Sequence, residues 1–135
     1  MKRIAFTLVE LLIVVVILGI LAAVVVPQFS DASGDAQLSS LSTNLQTIRG
    51  QIELYRLQHN SSYPTSNATL VTQLTTQTDM TGAAGTDYGP YLMSMPNNPF
   101  DNKNSVAATQ DGSGGWTYIG ATGVFQANDG GHDSL

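Results

Sequence analysis

Apolar and polar positions divide this 135-residue chain into three stretches. Phe6 to Val26 reads FTLVELLIVVVILGILAAVVV, and Thr7 and Glu10 are its clearly polar residues. As a helix this run spans ~32 Å, enough for the ~30 Å hydrocarbon core of a bilayer. So short a chain cannot bury such a run on every side. Further on, Leu38, Leu41, Leu45, Ile48, Ile52 and Tyr55 recur at alternating spacings of three and four. That is one apolar helix face, with Gln, Ser, Thr, Asn, Arg49, Glu53 and Arg56 between its members. The two patterns predict one helix from about Phe6 to about Gln58, ~80 Å long and bent near Pro27, whose ring removes a helical hydrogen bond. The competing readings are a stop at Pro27 and a free coiled coil. The residues after Gln58 need a surface to pack on, which favours the stripe as the spine of a small head.

From His59 onward the pattern breaks into short pieces. Ser66 to Leu74 predicts a short capped helix with Leu70, Val71 and Leu74 inward. Tyr88 to Phe100 carries three prolines and reads as an extended segment with turns, giving Leu92 and Met95 to the core. Trp116 to Ala127 has two aromatic, β-branched runs around Gly120-Ala-Thr-Gly123, which predicts a hairpin in a small antiparallel sheet. The fold class is therefore α+β. His59 and His132 have no metal-pair spacing and are expected at the surface.

Composition sharpens this picture. Hydrophobic residues make up 42% and charged residues only 11%, against ~25% charged in an average soluble protein. Much of the apolar content is the one N-terminal run. Five Lys+Arg against ten Asp+Glu give a net charge of -5, which argues against a nucleic-acid partner. The absence of cysteine removes disulfides, thiol catalysis and Cys-ligated zinc. No Gly-x-Ser-x-Gly elbow or P-loop is present, so no catalytic residue is assigned. Lys2 and Arg3 precede the apolar run, and the next basic residue is Arg49. By the positive-inside rule the N-terminus is cytoplasmic and the head lies outside. A cleaved secretory signal has an apolar core of ~7–15 residues; this run is longer, and Glu10 interrupts it. A carboxylate at the centre of a membrane helix costs ~2.5–3.5 kcal/mol and points by default to a functional site. Its place near the start of the run also allows Glu10 to reach the headgroups.

The string Ala5-Phe6-Thr7-Leu8-Val9-Glu10, after Lys2 and Arg3 and before the apolar run, resembles the cleavage signal of prepilins. That family includes type IV pilins and the pseudopilins of type II secretion systems. The resemblance implies a leader of residues 1–5, cut by a prepilin peptidase between Ala5 and Phe6, and methylation of the new Phe6 amino group. It implies that Glu10 counters the N-terminal charge of a neighbouring subunit during assembly. Ala5 departs from the family's usual Gly before the cut. The remaining parts are a transmembrane and assembly helix over 6–26, an amphipathic helix over 27–58 with Pro27 between them, and a head over 59–135.

Pro96-Asn-Asn-Pro-Phe-Asp101, Gly114-Gly-Trp-Thr-Tyr118 and Gly123-Val-Phe125 are similar to the C-terminal part of major pseudopilins. Many type IV pilins close this region with a disulfide, which this chain cannot form. Major pseudopilins commonly use calcium, and Asp101, Asp111, Asp129 and Asp133 sit in turn-rich loops that could supply oxygens. Surface turns attract Asp for their own reasons, and no EF-hand spacing is present. The function implied is a structural subunit of a type IV pilus-like filament or type II pseudopilus. Its expected partners are copies of itself, the prepilin peptidase, an inner-membrane assembly platform and inner-membrane lipid. The expected location is the bacterial inner membrane, followed by a periplasmic or extracellular filament. The alternative is a membrane-anchored exported monomer with a ligand-binding or enzymatic head.

Overall fold

The computed structural model describes residues 6–135, apart from the side chains of residues 27–31. Helix α1 covers Leu8–Gln58, and its assignment runs through Pro27 without a stop. The chain divides into two compact units, one ending at Ala36 and the other covering Gln37–Leu135.

In the first unit, Leu8–Val26 has a mean hydropathy of 3.2, and none of it is buried. Nineteen residues at ~1.5 Å each give ~28 Å, long and apolar enough to cross a membrane. Such a cylinder is not a core element of this unit. It exposes Leu, Ile and Val all round, so only lipid or other protein can shield it.

In the second unit, the last turns of α1 act as a spine. Leu41, Leu45, Ile48, Ile52 and Tyr55 are buried, as their spacing predicts. Leu38, the first member of the stripe, is 43% exposed and lies outside this core. Helix α2, Asn67–Thr75, starts at a capping box: Ser66 and Thr69 exchange side-chain and backbone hydrogen bonds. It turns Leu70 and Leu74 into the core and keeps Val71 partly buried against it.

Three strands complete the head: β1 Val106–Ala107, β2 Trp116–Ile119 and β3 Val124–Ala127, in the order β1-β2-β3. Strands β2 and β3 form the expected hairpin, pairing Trp116 with Ala127 and Ile119 with Val124. Trp116, Tyr118, Phe125 and Ala127 bury against the spine, while the Ile119–Val124 pair beside the turn is exposed. The turn needs Gly123, whose φ is +71° and whose Cβ would lie 2.4 Å from the Tyr63 ring. The sheet is mixed, which corrects the antiparallel expectation. Strand β1 runs parallel to β2, because it is not hairpin-joined: the chain returns through residues 108–115 before β2 begins. The segment from Tyr88 to Phe100 has no long element, and Met95 reaches the core as expected.

His59 corrects a second expectation. It is only 1% exposed and stacks on Tyr55 at 3.7 Å between centroids. Its Nδ1 lies 2.8 Å from the Tyr55 carbonyl and its Nε2 3.0 Å from the Thr78 hydroxyl. Both ring nitrogens are thereby satisfied, which makes the burial tolerable. His132 is partly buried and stacks on Phe100 at 3.8 Å.

Candidate functional site

The N-terminal site is built on the first turn of α1. Thr7 precedes the helix and its carbonyl accepts from Leu11 N at 3.3 Å, so Thr7 is the cap and Glu10 the third helical residue. Thr7 N and Thr7 Oγ1 each donate to Glu10 Oε2 at 2.8 Å, and Glu10 N donates to Thr7 Oγ1 at 3.2 Å. This is a reciprocal capping box, and a carboxylate there also faces the positive end of the helix dipole. Among the described residues no donor reaches Glu10 Oε1. Phe6 stands beside the box and is exposed. Ala5 and the rest of the leader lie outside the described residues. Pro27 lies within α1, and its side chain also falls outside them. Thr7, which holds Glu10 in this box, is the residue that reading by hydrophobicity passes over. Thr-x-x-Glu before an apolar run was the available signal.

The four aspartates of the C-terminal loops each close a turn. Asp129 Oδ1 accepts from Gly131 N, His132 N and His132 Nδ1 at 2.9, 2.9 and 3.1 Å. Its Oδ2 accepts from Asn98 Nδ2 at 3.0 Å, and the side chain is 4% exposed. Burial works to raise this carboxyl, but the hydrogen bonds from Gly131, Asn98 and His132 outweigh it and hold it below the usual range. Asp111 accepts from the side chain and N–H of Ser113, which brings it down to about 2 despite some desolvation; Asn128 and Thr109 add to that. Asp133 Oδ1 accepts from Gly130 N at 3.0 Å. Asp101 Oδ1 accepts from Lys103 N at 2.9 Å, while its buried Oδ2 has no hydrogen-bond partner and lies 3.7 Å from Lys103 Nζ.

A calcium ion needs six to eight oxygens converging on one point. Among the described residues no three His, Asp or Glu side chains form such a group. A carboxylate offers about four lone-pair directions. Asp129 already accepts from four N–H donors, three of them crowded on Oδ1. As arranged, Asp101, Asp111, Asp129 and Asp133 do not fit a calcium cage.

Comparison with known proteins agrees with both ends of the chain. Residues 1–26 match the prokaryotic N-terminal methylation motif. Residues 28–133 match the model of type II secretion system protein G. The chain belongs to the type II secretion system protein G family. Among its relatives is the type II secretion system core protein G of Klebsiella pneumoniae, 30% identical over 92% of this chain and 89% of the relative. The core protein G of Pseudomonas aeruginosa is 33% identical over 72% of this chain and 68% of the relative. That of Vibrio cholerae is 34% identical over 75% and 68%. No solved structure matches the chain. The protein G match runs through the last turns of α1, both sheet edges and the Asp-rich loops, so it extends the N-terminal resemblance into the head. It favours the pseudopilin over the type IV pilin among the two expected relatives.

Proposed function

We propose that this chain is a structural subunit of a type II secretion pseudopilus. It enters the inner membrane through Leu8–Val26 with Lys2 and Arg3 on the cytoplasmic side. A prepilin peptidase cuts between Ala5 and Phe6, and the new Phe6 amino group is methylated. Subunits then leave lipid and polymerise through α1, on an inner-membrane assembly platform, into a periplasmic filament. The head faces water.

The observation that carries this reading is a fully exposed apolar helix that opens on Thr7 and Glu10. Lipid is as apolar as leucine, so burial alone does not favour leaving it. The assembly step therefore needs close helix packing and a polar contact worth more in the filament than in lipid. A carboxylate with one oxygen held by Thr7 and the other open to a second subunit's ammonium supplies that contact. Pro27 sits where the apolar half of α1 gives way to the polar half, and the backbone groups it frees would be satisfied by neighbouring helices.

Co-expression with a prepilin peptidase, followed by intact-mass spectrometry, tests the processing steps. The expected product begins at Phe6 and carries one extra methyl group. A product that keeps residues 1–5 overturns the processing, and one cut after Val26 restores the secretory-signal reading.

A further inference from the structure

We propose that the C-terminal loops of this chain are closed by its own hydrogen-bond donors, with the Lys103 ammonium standing where a divalent cation would sit. Three loops have to be joined: the one that follows Pro96, the Gly-rich one before β2, and the chain end after β3. Each carries a carboxylate or an exposed carbonyl, and drawing them together concentrates negative charge. A cation with carboxylate and carbonyl ligands is one solution.

Here Lys103 makes the same kinds of contact. Its Nζ donates to the Gly112 carbonyl at 3.2 Å and lies 3.7 Å from Asp101 Oδ2. It thereby links the loop after Pro96 to the loop before β2. Its own backbone is fixed on both sides: Lys103 N donates to Asp101 Oδ1, and Lys103 O accepts from Asn98 N at 2.8 Å. Asp101 Oδ2 is buried without a hydrogen bond, so the ammonium is the one positive charge described beside it.

Asn98 and Asn128 make further joints. Fully buried Asn98 donates to both Gly115 O and Asp129 Oδ2, tying the approach to β2 to the chain end. Its Oδ1 accepts from Phe100 N at 3.0 Å. Fully buried Asn128 accepts from Gly112 N at 2.9 Å and donates to the Thr109 carbonyl at 3.3 Å. The amides and the ammonium thus help to link all three loops, and Asp129 Oδ1 already accepts three donors. A divalent ion at Asp129 Oδ1 would have to displace donors that are already seated.

The test uses the full chain in detergent. Trp116 is the only tryptophan and is fully buried in the head, so its fluorescence reports head unfolding. The wild-type melting temperature is expected to be the same in EDTA and in millimolar calcium chloride, with no stoichiometric calcium by elemental analysis. Lys103→Gln is expected to lower it by ~2–5 °C, a loss that calcium does not restore. A wild-type melt that rises with calcium and falls with EDTA overturns the proposal. So does one calcium per purified chain. An unchanged melt for Lys103→Gln removes Lys103 from the role, and the wild-type arms stand whether or not that variant folds.

Discussion

The backbone N–H and the hydroxyl of Thr7 both donate to the same oxygen of Glu10, each at 2.8 Å. One carboxylate oxygen is thereby spent inside the subunit, and Oε1 keeps its lone pairs for another molecule. The pair orients Glu10 along the start of α1, where the proposed assembly contact would meet it.

Thr7→Val keeps the backbone N–H and removes the hydroxyl. Losing a cap side chain costs ~0.5–2 kcal/mol, which is ~2–30-fold in an equilibrium. The variant is expected to insert in the membrane normally and to give several-fold fewer filaments, with Thr7→Ser close to wild type. Quantitative immunoblots of sheared fibres against the membrane fraction read both quantities. Equal filament yields for Val and Ser variants would contradict the positioning of Glu10 by Thr7.

The hairpin turn makes a separate demand. Gly123 adopts φ +71°, and an added Cβ would lie 2.4 Å from Tyr63 Cε1. The left-handed backbone alone costs a residue with a side chain ~1–2 kcal/mol, and a displaced Tyr63 adds to it. Tyr63 donates to Glu53 and accepts from Arg56, so its movement also loosens the end of the spine. Gly123→Ala is therefore expected to lower the Trp116 melt by ~4–8 °C or more, without changing membrane insertion. A melt within error of wild type would count against this packing.

Acid sensitivity follows from Asp111. Its ordinary value is 3.8, and hydrogen bonds from Ser113, then Asn128 and Thr109, hold it at about 2 in the fold. A carboxyl held low stabilises the folded state above its unfolded pKa and loses that contribution as pH falls towards the folded one. Head stability is thus expected to stay level from neutral pH to about 4–5 and to fall between about 4 and 2. Asp79, held low by Thr81 and Ala83, acts in the same direction. Asp111→Asn is expected to flatten this acid limb and leave its start near the same pH. Melting temperatures taken in steps of pH supply the comparison, and an equally steep limb in the variant would remove Asp111 as a cause.

Much of the fold was legible because single residues had only one physical outlet. The run from Leu8 to Val26 could not be covered by so small a head, and it is exposed. Leu41 through Tyr55 could serve one face, and they form the spine. The hairpin announced itself by Gly123 and its flanking aromatics. His59 was misplaced although it continues the stripe, four residues after Tyr55. Its polarity was weighed without its position, and Thr78, nineteen residues on, supplies the partner that permits burial. The parallel pairing of β1 left no trace, because two residues carry no periodicity. The Asp loops are legible only in part. Carboxylates in Gly-rich turns suit a cation equally well as they suit backbone N–H groups, and only the placement of Asn98, Lys103 and His132 separates the two.

The proposed role of Glu10 is to drive polymerisation. It is tested most directly by counting fibres from cells that express wild-type or Glu10→Ala chains at equal levels in the inner membrane. Abundant fibres are expected from wild type, and from Glu10→Ala a processed, membrane-inserted subunit that forms none. Wild-type fibre yield from Glu10→Ala would contradict it.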